Sequence, residues 1–308
     1  MEQKTLYTLK SPYRESLDVE GFTFGEGEKS VAIVGSTRGN EVQQMYVCSI
    51  LVKKLKELEK AGKIAPKKQI LVVPCINSYS MNIGKRFWTM DNTDINRMFP
   101  GYDLGETTQR IAAGVFEQLK GYEYGIQMAS FYQEGSFIPH VKNMRTGFTD
   151  RNLMKKFGLP YGIVREPRPY DTTTLNYNWQ IWETKAFSVY TSETDNIDEE
   201  SARTAVLAIL RFLANVGIIS HKIRCGYATE IVEEAGISQV RTKAGGIFEN
   251  KVKTGEFVEA GTVLGEIKNP LDNETMEQIV AEDTGIVFFR FNKPLINENM
   301  VCYKIIKD

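Results

Sequence analysis

The sequence predicts an α/β domain, a mixed sheet flanked by helices, followed by a small all-β domain of barrel-sandwich type. Three observations carry this. Short, almost wholly apolar runs at residues 31–34, 70–75, 124–130 and 186–191 alternate with stretches of helical spacing at 41–58, 107–119 and 199–216. Runs of that length and polarity are strands buried on both faces, and strands alternating with helices build an α/β sheet. From about Gly226 the helical spacing stops and short β runs punctuated by glycine take over. Within that stretch Gly246-Ile247-Phe248 matches Gly285-Ile286-Val287, Val252 matches Phe291 and Leu264 matches Tyr303, a weak repeat at an offset of 39 residues. Two similar β halves suggest a small sandwich or flattened barrel. The expected boundaries are 1–222 for the α/β domain and 223–308 for the β domain.

The bulk numbers agree. A chain of 308 residues holds one large and one small domain, and 42% hydrophobic with 25% charged residues is ordinary for a globular protein. A net charge of −1 gives no support for a nucleic-acid or anionic-membrane partner. No apolar run approaches the roughly 20 residues that span a bilayer. The first ten residues lack the apolar core of a signal peptide. Cys48, Cys75, Cys225 and Cys302 are far apart and form no CxxC pair. They read as reduced thiols, and a cytoplasmic location is expected.

In order along the chain, residues 1–29 hold one or two edge strands (5–9 and 22–24). The buried strand at 31–34 feeds the helix at 41–58. That helix ends in a lysine-rich turn (Lys53, Lys54, Lys56, Lys60, Lys63), a solvated face. The strand at 70–75 leads to a polar loop and the amphipathic helix 107–119. Strands at 124–130 and 186–191 and the long helix 199–216 follow. Between them, Tyr161, Arg165, Arg168, Tyr170, Tyr177, Trp179 and Trp182 crowd one segment. Pro167, Pro169 and Thr172-Thr173-Thr174 argue against a helix there.

In open α/β sheets, ligands bind in loops beyond the carboxyl ends of the strands. Residues 36–41, 77–97, 129–131 and Ser192-Glu193 all lie at such ends. The first segment reads Ser36-Thr37-Arg38-Gly39-Asn40-Glu41. The second carries Asn77, Arg86-Phe87 and Asp91-Asn92-Thr93-Asp94-Ile95-Asn96-Arg97-Met98-Phe99-Pro100-Gly101. Only two histidines occur, His140 and His221, so a site built on several imidazoles is hard to assemble.

Together these blocks resemble the succinylglutamate desuccinylase/aspartoacylase family, the zinc carboxypeptidase-like deacylases. The resemblance implies a zinc-carboxypeptidase-like mixed sheet and, over 245–265, a biotinyl/lipoyl-like hammerhead. A working carrier presents a lysine between its two β halves. Here that stretch is Lys268-Asn269-Pro270-Leu271-Asp272-Asn273, without a carrier signature, and it reads as part of a packing or lid module.

The family's first block is Gly-x-His-Gly-x-Glu, and its His and Glu hold zinc with a second His from an Asp-Leu-His-Thr-like strand end. A catalytic zinc needs about three such ligands and one open position for water. In this chain the first His position is Arg38 and the second is Ala129, with Gln127 at the Asp position; Glu41 alone matches. No bound metal is therefore expected, and Arg38 is expected to pair with Glu41. His140 reads as a scaffold residue and His221 as part of a surface turn.

Glu193 matches the family's general base and acid, with Thr194 where the family usually has glycine. Arg86, Asn96 and Arg97 match its substrate clamp, and the resemblance gives Arg86 a catalytic place as well, on the substrate carboxylate or the polarised carbonyl; planar donors in a fixed fork select carboxylates. The same arginines with Asp91 and Asp94 would also serve as a loop-folding network. The aromatic and arginine-rich segment 161–182 either walls the pocket or packs as an ordinary loop.

Three functional classes follow. The first is a non-hydrolytic relative that binds a small carboxylate or acyl-amino-acid ligand. The second is an amide or ester hydrolase with a metal recruited differently. The third is an interaction protein whose pocket is closed by Arg38 bridging Glu41 and Glu193. The first is favoured. Homo-oligomerisation is left open.

Overall fold

The computed structural model describes residues 1–132 and 134–308. The strands in chain order are β1 (Glu2–Leu9), β2 (Leu17–Phe24), β3 (Glu28–Ser36), β4 (Lys68–Cys75), β5 (Tyr124–Ala129), β6 (Ser136–Phe137), β7 (His140–Met144), β8 (Tyr161–Arg165), β9 (Lys185–Tyr190) and β10 (Glu230–Glu233). After them come β11 (Ile237–Arg241), β12 (Gly246–Asn250), β13 (Phe257–Val258), β14 (Val263–Lys268), β15 (Thr275–Val280), β16 (Gly285–Arg290), β17 (Leu295–Ile296) and β18 (Val301–Lys307). The helices are α1 (Val42–Lys60), α2 (Ser78–Met81), α3 (Thr107–Leu119), α4 (Arg151–Lys155), α5 (Leu175–Ile181) and α6 (Glu199–Asn215). Two compact units result: Met1–Ser130 with Pro139–Glu230, and Phe131–Ile138 with Ile231–Asp308.

The first unit is built on a mixed sheet of order β1-β2-β4-β3-β5-β9-β7-β8. Its centre is parallel: β4, β3, β5 and β9 run the same way, with Val34 facing Val73 on one side and Gln127 on the other. The apolar runs explain the placement, since Val31, Ala32, Ile33 and Val34 are all fully buried, as strands covered on both faces must be. Alternation divides them. Ala32, Val34, Leu71 and Val73 join one core cluster with Ile111, Val115 and Leu119 of α3 and Leu175 and Trp179 of α5. The helices α1 and α6 pack against each other, and α1 also covers β3 and β4.

Helix α1 begins where expected, with Glu41 at its N-cap, and α3 and α6 match the predicted stretches to within a residue. The first strands are longer than predicted, and only β1 is at the sheet edge. One expectation is corrected. The segment after Pro169 does contain a helix, α5, because Thr174 caps it by accepting from Tyr177 N at 3.4 Å. The threonines that looked like helix breakers supply the cap. Trp179 of that helix leans on Gly125 so closely that a Cβ there would lie 2.7 Å from its ring, and its indole N–H donates to Leu119 O at 3.1 Å.

In the second unit the repeat is structural. One sheet has the order β11-β18-β16-β13, joined by β6, and the other β15-β14-β12-β17. Shifting by 39 residues carries β12 onto β16 and β14 onto β18, and turns one strand order into the other. Repeat-related residues also touch: Tyr303 Oη is 2.7 Å from Leu264 O. At the β14–β15 hairpin Lys268 is held to its own sheet, bonding Thr275 Oγ1 at 2.6 Å and Glu266 at 2.7 Å. Among the described residues, no helix is long and apolar enough to cross a membrane.

Candidate functional site

Strands β3, β4, β5 and β9 end at Ser36, Cys75, Ala129 and Tyr190, so the loops that follow them open on one edge of the first unit's sheet. Between Ser36 and α1 the chain makes a tight loop around Gly39. A Cβ at Gly39 would lie 2.3 Å from both Lys85 O and Ser80 C, and Gly39 N donates to Arg86 O at 3.1 Å. Glycine is required here by close backbone approach, and that approach holds the first motif against the second.

Arg38 projects from this loop into a nearly closed environment, with 6% of its side chain exposed. Its Nη1 donates to Glu41 Oε1 at 3.0 Å and to Ser130 Oγ at 3.4 Å. Its Nε and Nη2 grip Asp94 as a fork, at 3.0 Å and 2.8 Å to Oδ2, with Nε also 3.1 Å from Oδ1. Glu41 is equally engaged. Its Oε2 accepts from Thr37 N at 2.7 Å, Arg38 N at 2.9 Å and Thr37 Oγ1 at 3.2 Å, and its Oε1 accepts from Ser130 Oγ at 2.5 Å as well as from Arg38. Asp94 caps the 3-10 turn Ile95–Arg97, accepting from Asn96 N at 3.0 Å. Burial alone would weaken the charge on Arg38, but Glu41 and Asp94 outweigh it and raise its pKa, so the guanidinium is permanently protonated.

The expected Arg38–Glu41 contact is present, and Asp94 joins it as an unforeseen second carboxylate. Among the described residues, the carboxylates paired with Arg38 are those of Glu41 and Asp94, rather than Glu193. Glu193 is half-buried in the loop after β9, where Thr191 Oγ1 donates to its carbonyl at 2.8 Å. Ala129 faces Tyr190 across β5 and β9, and its carbonyl accepts from Gln44 Nε2 at 3.2 Å. Gln127 donates to Asn96 Oδ1 at 3.0 Å, tying strand β5 to the second motif. The guanidinium of Arg86 stacks on Phe87 at 5.8 Å. That of Arg97 lies over the Tyr170 ring at 5.1 Å and donates to the Tyr170 carbonyl.

His140 is fully buried and stacked on Tyr190, with ring centroids 4.7 Å apart and planes 4° from parallel. Burial raises the Tyr190 phenol pKa, and it sits within range of Arg165, Arg38, Asp171 and Glu41. His221 is exposed. Sequence reasoning missed Ser130, Tyr190 and Asp171. The sequence places Asp94 only in a loop-folding network with Arg86 and Arg97, not beside Arg38.

These residues do not fit a zinc ion. The oxygens of Glu41 and Asp94 are spent on Arg38 and on backbone N–H groups, and a cation fills the space between them. Among the described residues there is no group of three or more His, Cys, Asp or Glu able to hold a metal.

Comparison with known proteins adds the lineage. The profile of the succinylglutamate desuccinylase/aspartoacylase catalytic domain matches residues 27–214. The chain belongs to this family. The match spans the parallel strands, both motifs, Glu193 and α6. No functionally curated protein matches the chain by sequence. Solved structures share the fold throughout. A succinylglutamate desuccinylase from Silicibacter sp. TM1040 superposes with a TM-score of 0.80 at 16% identity, covering 98% of this chain and 92% of that one. An aspartoacylase family protein from Mesorhizobium loti gives 0.77 at 21% identity over 96% and 91%. The ectoine utilization protein EutE (DoeB) from Ruegeria pomeroyi, in a product-bound structure, gives 0.78 at 18% over 95% and 90%. Likeness at that identity establishes the desuccinylase/aspartoacylase fold, including the C-terminal β unit.

Proposed function

We propose that this chain is a non-hydrolytic member of the desuccinylase/aspartoacylase family that binds a small carboxylate-bearing ligand of the acyl-amino-acid class. The observation that carries the reading is the Arg38 guanidinium clamped between Glu41 and Asp94. It stands where the family pattern has a zinc-binding histidine, and Ala129 stands at the second. A fixed positive charge there repels a divalent cation by several kcal/mol at intermediate dielectric. A guanidinium polarises a carbonyl and holds a carboxylate, but it does not bring the pKa of a water down to about 7 as zinc does. Without that water, Glu193 has no proton to take and the hydrolytic step has no nucleophile.

What remains is recognition chemistry. Asn96, held by Gln127, and Arg97, held against Tyr170, keep the types and order of the family's substrate clamp, and Arg86 lies in the same motif. The names of the relatives point to acylated amino acids such as N-succinyl-L-glutamate as first probes. Titration calorimetry with N-succinyl-L-glutamate is expected to show binding that Arg97→Ala weakens about thirtyfold or more, the loss typical when a charged hydrogen-bonded partner is removed. Proton NMR of the same mixture is expected to show no cleavage. Turnover abolished by a chelator would replace this reading with the alternative, an active hydrolase whose metal is recruited by other donors.

A further inference from the structure

Gln43 is polar yet fully buried, and none of the chemistry above gives it a role. It is the second residue of α1, two positions after Glu41. The first N–H groups of a helix have no partner within it and must find one outside. Gln43 N finds Thr194 O at 3.3 Å, in the loop that joins β9 to α6. The side chain reaches further along the same loop. Its Nε2 donates to Asp198 O at 2.9 Å and to Ser201 Oγ at 3.1 Å, and its Oε1 accepts from Asp198 N at 3.1 Å. One planar amide thus closes both the N–H and the C=O of Asp198, which needs a donor and an acceptor on the same group.

Asp198 is in turn the cap of α6, accepting from Glu200 N at 3.2 Å and Ser201 N at 3.3 Å. Gln43 therefore ties the start of α1, where Glu41 pairs with Arg38, to the start of α6. The loop between these ties begins with Glu193. On the other side of Glu193, the fully buried Thr191 donates from Oγ1 to the Glu193 carbonyl at 2.8 Å. Glu193 is held between two fixed points, Thr191 and Thr194, and the second of them is a bond to Gln43. Asp195, Asn196 and Ile197 are exposed, so the hydrogen bonds at Thr194 and Asp198 rather than burial fix this stretch.

We propose that Gln43 is a positioning residue that locks the Glu193 loop to the Arg38–Glu41 motif, so that Glu193 and the arginine cluster keep one fixed relation. The locking stands on backbone and side-chain bonds alone. Its consequence for affinity rests on the acyl-amino-acid reading above: a carboxylate at Glu193 accepts from an amide N–H, a donor that every acyl-amino acid carries.

The test is limited proteolysis with a glutamate-specific protease and peptide mass mapping. It reads cleavage after Glu193 against cleavage after Glu26, an exposed residue of the β2–β3 turn in the same unit. Gln43→Met keeps the length and loses every side-chain bond. Cleavage at Glu193 relative to Glu26 is expected to rise about tenfold, the effect of one or two net hydrogen bonds. In Gln43→Glu a protonated carboxyl still accepts from Asp198 N and donates to Asp198 O, whereas the carboxylate has nothing to donate. Burial and the neighbouring Asp198 carboxylate keep such a group neutral at about pH 6 and allow it to ionise by about pH 9. The ratio in Gln43→Glu is therefore expected to match wild type at the lower pH and to approach Gln43→Met at the higher, while wild type and Gln43→Met do not change with pH. A role in packing alone predicts no such pH dependence. A wild-type ratio in both variants, or faster cleavage at Glu193 and Glu26 alike, overturns the locking. Affinity for N-succinyl-L-glutamate is expected to fall about tenfold in Gln43→Met and to recover in Gln43→Glu at about pH 6. Native affinity in a variant whose loop is released overturns the link to the ligand. If wild type binds no probe while the cleavage ratios change as expected, the ligand reading fails and the locking stands. Should Gln43→Met not fold, the pH dependence of Gln43→Glu decides alone.

Discussion

Arg38 illustrates what a guanidinium does between two buried carboxylates. A metal coordinates from a point, whereas a guanidinium has a plane and edges, and here each edge is matched: Nη1 to Glu41 and Ser130, Nε and Nη2 to Asp94. The cluster is self-consistent only while all three charges stay together. Arg38→Met would keep the bulk and leave Glu41 and Asp94 buried beside each other without a counter-charge. Breaking a buried ion cluster by removing one partner costs about 3–5 kcal/mol, so urea unfolding at neutral pH is expected to show a loss of that size. A change below 1 kcal/mol would mean that the cluster is solvated in solution. The Arg38–Glu41 half was legible in the sequence because the two residues sit three apart in one motif. Asp94 is 56 residues from Arg38, and nothing in local spacing signals such a pairing.

Elements place these side chains with little tolerance. The loop from β3 to α1 passes so close to Ser80 and Lys85 that Gly39 has no room for a methyl group. Gly39→Ala must push backbone against backbone, an overpacking cost of about 1–3 kcal/mol, and it must move Arg38 relative to Asp94. Thermal unfolding together with probe affinity checks this: both are expected to drop, and a variant with native stability and native affinity would show that the loop is looser than described. Helices with clear 3.6-residue spacing, α1, α3 and α6, were readable nearly to their ends because one face of each is continuously buried. The helix α5 was not, since prolines and threonines hid a start that Thr174 caps. Strand β7 was hidden too, because Lys142 and Asn143 interrupt its apolar pattern although Asn143 is buried and bonds Ala186 O at 2.8 Å.

Over the whole molecule, the family's scaffold is retained. The 39-residue repeat was faint in the sequence but relates the strand orders β11-β18-β16-β13 and β15-β14-β12-β17 of the second unit, because strand pairing needs only matching alternation and turns, not identical residues. By contrast, the recruitment of Phe131–Ile138 into that unit, where Phe137 pairs with Phe289, left no trace that local patterning could reveal. Fold is thus recovered from periodicity, and the proposed function turns on Arg38, Gln127 and Ala129, where the sequence differs from the pattern it resembles. The central claim is that a protonated arginine occupies the metal position. Elemental analysis of protein purified without chelators or metal-affinity steps tests it most directly. The account predicts zinc and other transition metals far below one equivalent per chain; stoichiometric zinc retained through dialysis would contradict it.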